Sequence, residues 1–149
     1  MPTERTLLES LGLHRPELRA WAMYDWATSA MQTVIMTAIF PIFFAAVAHS
    51  AGYQGSAATK VWADLNTWTL AAIALASPLL GAVADRAPVK KRGLAVFLIV
   101  GVGGTAAMYF VREGMLVLAS VTYALSLIGG TCSFVFYEAM LPHLASPEE

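Results

Sequence analysis

Residues 81–92, GAVADRAPVKKR, hold a dense charged group in a 149-residue chain: Gly81, then one acid, Asp85, then Arg86, Lys90, Lys91 and Arg92. Pro88 enforces a turn between the acid and the later bases. Such a group places charge at a loop and makes or breaks no bond. A second set is polar without being basic. Asp25, Ser29, Gln32 and Met36 recur at intervals of four, three and four, so on a helix they form one stripe bearing a carboxylate, a hydroxyl and an amide. Tyr123, Ser126, Gly130, Ser133 and Tyr137 repeat at three and four and form another. Stripes of this kind suit solute contact or helix-to-helix bonding. Enzyme chemistry lacks its parts: His14, His49 and His143 fall in separate loops or termini, and Cys132 stands alone in an apolar run. No glycine-rich phosphate loop occurs either, so no enzyme, metal or cofactor is expected.

The elements that must position these residues follow from composition. The chain is 58% hydrophobic and 13% charged, against roughly 45–50% and about 25% in a soluble domain. A net charge of -1 offers no basic excess for nucleic acid and no acidic run for disorder. Removing charged residues and His leaves four long stretches, at 26–48, 65–84, 93–111 and 114–137. About 20 apolar residues at 1.5 Å each span a hydrocarbon core of about 30 Å, so each stretch is long enough to cross a bilayer. Backbone groups in lipid must be satisfied within the segment, and the strand alternation of a barrel is missing. The expected fold is therefore all-α, an integral membrane protein with four transmembrane helices. The first span is no cleaved signal peptide, because it follows some twenty mostly polar residues and is too long for an apolar signal core.

Between the spans the pattern predicts a polar arm over 1–15, where Leu7, Leu8 and Leu11 have helical spacing, then a helix opening at Pro16 and Glu17. Loops are expected at 49–60, closed off by Asp64, at 85–92 and at 112–114, with a polar tail over 141–149. Pro41 and Pro78 lie inside helices and can bend them, and Gly101 and Gly104 mark a close packing contact. Arg5, Arg15, Arg19, Arg86, Lys90, Lys91 and Arg92 make seven bases on one side, against Lys60 and Arg112 on the other. The positive-inside rule then puts both termini and the second loop in the cytoplasm, in the cell's inner (plasma) membrane.

Gly81, Asp85, Arg86, Lys90 and Lys91 fall in register on a motif that resembles the loop between the second and third helices of the major facilitator superfamily, with Pro88 where that motif has its second glycine. AWAMYDWATSA (20–30), TAIFPIFF (37–44) and FYEAMLPHLA (136–145) are similar to bacterial relatives of the autophagy-related vacuolar effluxer. Thr28 and Glu138 each stand where that family has asparagine. The resemblance implies a gating role for the loop motif, in which Asp85 and Arg86 brace the cytoplasmic gate. It also implies a cavity lined by the first and fourth helices, with Asp25, Ser29, Gln32, Met36, Tyr123, Ser126, Ser133, Tyr137 and Glu138 as its candidate residues. The chain would then be the first four helices of a twelve-helix secondary transporter of a small solute. As a fragment without its remaining helices it would not transport. Two alternatives stand beside this reading: a complete four-helix exporter that pairs with itself around Asp25, and a membrane scaffold subunit.

Overall fold

Residues 13–86 and 89–140 are described by the computed structural model, and most of the arm at 1–15, the turn at Pro88 and the tail at 141–149 lie outside them. Helix α1 spans Pro16–Ser50, α2 Ser56–Arg86, α3 Lys90–Ala107 and α4 Leu116–Glu138. A single tight turn, Met108–Phe110, prolongs α3. Each of the four is long and apolar enough to cross a membrane, and no strand occurs among the described residues. The protein is a multi-pass, all-helical membrane protein.

Local chemistry sets the ends. Pro16 opens α1, where its missing N–H has no helical partner to lose, and Glu17 faces the positive end of the helix. Gly52 closes it with a positive φ of 92°, while the N–H groups of Gly52 and Tyr53 reach back to the carbonyls of His49 and Ala48 at 3.0 Å. That pair of bonds is a Schellman close, and glycine supplies the left-handed residue it needs. The loop that follows is shorter than the charges suggest. Lys60 and Asp64, expected at its end, lie in the opening turns of α2 and pair across one turn at 2.6 Å. Exposed i,i+4 partners of opposite sign tolerate helix there. At the other end α2 runs through Asp85 to Arg86.

Pro41 does not simply kink α1. It sits just past a π-helical stretch, Met31–Ile39, in which backbone bonds reach five residues back. Proline lacks the N–H that would close the preceding turn, and its ring crowds the carbonyl four residues earlier. Pro78 lies inside α2.

Helix α4 is the post of the bundle, in contact with α1, α2 and α3, and its pairing with α3 is the most extensive. Gly101 and Gly104 pack as their spacing predicts. A Cβ added to Gly101 would lie 2.9 Å from the Gly130 nitrogen, and one on Gly104 2.6 Å from the Ser126 nitrogen. Gly129 answers from α4, so close to Gly101 and Phe97 that no side chain fits. Small residues let two helix backbones touch, which is how helices associate where lipid removes the hydrophobic drive.

Candidate functional site

Four hydroxyls of α4 find partners on neighbouring helices. Ser126 Oγ lies 2.5 Å from Thr105 Oγ1 on α3, and Ser133 Oγ lies 2.6 Å from the Tyr24 hydroxyl on α1. The Tyr123 hydroxyl donates to Asn66 Oδ1 on α2 at 2.8 Å, and that of Tyr137 to the Trp21 carbonyl at 3.0 Å. These four α4 residues are buried, as a polar stripe in a membrane must be when it faces protein.

Two aromatic groups fasten α1 to the post. Near the start of α1, the Tyr137 ring stacks on Trp21 at 4.9 Å and tilts against Tyr24 at 4.5 Å, with Phe134 edge-on to both tyrosines. Near its end, Phe40 stacks on Tyr123 at 4.9 Å, and Trp62 of α2 lies against Phe44 and Tyr123 at 5.0 and 4.9 Å. Ring pairs at such distances are worth about 0.5–1.5 kcal/mol beyond the area they bury. Between the fastenings, α1 and α3 flank a cleft of about 450 Å³ lined by Tyr24, Thr28, Met31, Gly101, Thr105 and Ser133, among others.

The α1 residues divide differently from the expected stripe. Met36 is buried and Gln32 half-buried, but Asp25 and Ser29 are exposed, and Thr28 is buried in their stead. Glu138 is exposed beside Tyr137. Asp25 follows Tyr24 and Glu138 follows Tyr137 in the chain, and those two rings lie 4.5 Å apart, so both carboxylates sit at one end of the bundle. Neither has an ion-pair partner among the described residues. Sequence spacing missed Asn66, Trp21 and Trp62. Asn66 carried a usable signal, an amide inside the otherwise apolar stretch 65–84.

Comparison with known proteins identifies the chain. A family model described as vacuole effluxer Atg22 like matches residues 65–149. An uncharacterised MFS-type transporter of Bacillus subtilis strain 168, YxiO, is 33% identical over 122 residues, 82% of this chain. The chain belongs to the Atg22-like family of MFS-type transporters. It spans 28% of the length of that Bacillus relative. No solved structure matches it.

In this Atg22-like chain the charged loop motif joins α2 to α3. Gly81 and Asp85 lie in the last turns of α2, with Asp85 exposed, and Lys90 and Lys91 open α3. Half-buried Lys90 donates from Nζ to the Ala139 carbonyl at 2.8 Å, whereas Lys91 is exposed. Ala139 follows the last residue of α4, where carbonyls lack helical donors and the helix end is negative. The ammonium therefore ties the second loop to the end of the post.

Proposed function

We propose that these four helices form the first part of the solute path of a secondary transporter, completed by further helices of the same protein. The observation that carries this reading is the pair Asp25 and Glu138, exposed on apolar helices with no ion pair among the described residues. A carboxylate within or at the edge of a membrane span faces a partner or a water-filled cavity. The open cleft between α1 and α3, and the far greater length of the Bacillus relative, support helices beyond these four as the missing wall. Such transporters rock two bundles about a site between them, and four helices supply only part of one. In this reading the cargo is a small solute, the termini and the α2–α3 loop face the cytoplasm, the chain lies in the plasma membrane, and Asp85 with Arg86 braces a gate.

Reconstitution tests it. Vesicles bearing the 149-residue chain alone are expected to show no saturable solute uptake, and uptake is expected when the remaining helices are supplied as a second polypeptide. In that assembly Asp25→Asn, Glu138→Gln and Asp85→Asn should each lower uptake while membrane insertion persists. Saturable uptake by the 149 residues alone would instead favour the self-pairing exporter.

A further inference from the structure

The buried residues of α1 are Thr28, Met36, Phe40, Phe44, Val47 and Ala48. In a uniform α-helix at about 100° per residue, Thr28 and Ala48 would point about 200° apart, onto opposite faces. Both are nevertheless buried against the bundle. The nine π-helical residues between them account for this. Advancing roughly 82° per residue instead of about 100°, they take back about 160° of the difference.

Two groups hold the wider turn. Pro41 offers no N–H to the stretch before it, and Thr37 Oγ1 donates to the Gln32 carbonyl, five residues back, at 3.0 Å. Every other bond from a Ser or Thr hydroxyl to its own helix among the described residues reaches three or four residues back. The Thr37 bond therefore fits the π turn and has no counterpart in the α-helical parts of the chain.

We infer that Thr37 is a positioning residue that selects between two registers of α1. In the register present here, Tyr24 and Thr28 face the post, and Met31 lies against Gly130 and Thr105. Reversion of somewhat over half of the π stretch to α-helix turns the segment before it by about 100° while Phe40–Ser50 stays fastened. Because α-helix advances further per residue, each place passes to the next residue in sequence. Asp25, Ser29 and Gln32 then take the places of Tyr24, Thr28 and Met31. The polar stripe read from sequence would thus face α4 in the second register, carrying a carboxylate from the surface of the bundle to its interior. Its bearing on transport rests on the function proposed above, but the register itself does not.

Cross-linking tests the register without any transport assay. Cys132, buried on α4, is first replaced by alanine. Cysteine pairs at 24 and 133 and at 25 and 133 are then compared with a short bifunctional thiol reagent in native membranes. With Thr37 present, the 24–133 pair is expected to react about ten-fold faster, since small displacements of reacting groups cost large factors in rate. Thr37→Val combined with Pro41→Ala should reverse the preference, and Thr37→Ser should preserve it. In the double variant, deleting Val34, which is exposed within the π stretch, takes out one step of about 100° and offsets the turn, so the preference should return to the 24–133 pair. An unchanged preference in the double variant would overturn the proposal. So would equal reactivity of the two pairs in the double variant, or a preference that the deletion does not restore, either of which would mean loosened packing rather than a second register.

Discussion

Placing a methyl group on Gly129 tests whether backbone contact between α3 and α4 holds the bundle together. The Cβ of alanine there would lie 2.5 Å from the Gly101 Cα and 2.7 Å from the Phe97 carbonyl oxygen. Carbon atoms pack at about 3.5–4.0 Å, so the helices must part by about 1 Å. Both obstructing groups are backbone and cannot rotate away. Overpacking of this kind costs about 1–3 kcal/mol. The Thr105–Ser126 bond, now 2.5 Å long, would stretch towards the limit of hydrogen bonding, losing about 0.6 kcal/mol more on the scale measured for membrane helices. A total of about 3 kcal/mol lowers the folded-to-unfolded ratio roughly a hundred-fold, because about 1.4 kcal/mol is a factor of ten. Gly103, two residues from Gly101 and on the open face, has no atom within 4 Å of its added Cβ. Gly103→Ala should be neutral or gain about 0.5–1 kcal/mol from better helix propensity. Thermal unfolding of both variants in one detergent measures the contrast. Equal melting temperatures for Gly129→Ala and Gly103→Ala would refute the argument.

Other perturbations separate the remaining contacts. Tyr123→Phe should cost about 0.6–1.7 kcal/mol by removing the bond to Asn66 while keeping the stack on Phe40, and Phe40→Ala about 3–5 kcal/mol, both read by thermal unfolding. Lys90→Met should lower stability by about 0.3–1 kcal/mol through loss of the charge at the α4 end. Lys91→Met should have a smaller effect, because its side chain bonds no carbonyl there. For topology, cysteines replacing Lys60 and Arg112 should react with an impermeant thiol reagent on intact cells, whereas one replacing Lys91 should react only after the cells are opened. The opposite pattern would reverse the orientation.

The spans were legible because a bilayer imposes length and apolarity on each segment separately, and charge-free stretches declare both. The α4 stripe was legible for a related reason: its helix is regular, so intervals of three and four keep Tyr123, Ser126, Ser133 and Tyr137 on one side. The same arithmetic put Asp25 and Ser29 on one stripe with Met36, whereas they are exposed and Met36 is buried, because it assumes a constant number of residues per turn and the stretch before Pro41 departs from it. Thr37 and Pro41 were present as signals, but only the geometry shows the threonine reaching five residues back. The aromatic fastenings were not legible, since each joins residues of different helices and no local period relates Trp21 to Tyr137 or Phe40 to Trp62.

The two bonds that seat the start of α1 join residues far apart in the chain, Tyr24 to Ser133 and Trp21 to Tyr137, at separations of 109 and 116. The backbone contact of α3 with α4, by contrast, forms within one helical hairpin. Synthesis at about 5–20 residues per second places roughly 5–20 s between the emergence of the first partner and the second. Throughout that interval the start of α1 waits in the membrane with Trp21 and Tyr24 uncovered on the side that α4 will fill. Assembly of these helices thus runs backwards along the chain, the fourth organising the first, so a cell that slows synthesis between Tyr24 and Lys90 prolongs the exposure of α1 and not of α3.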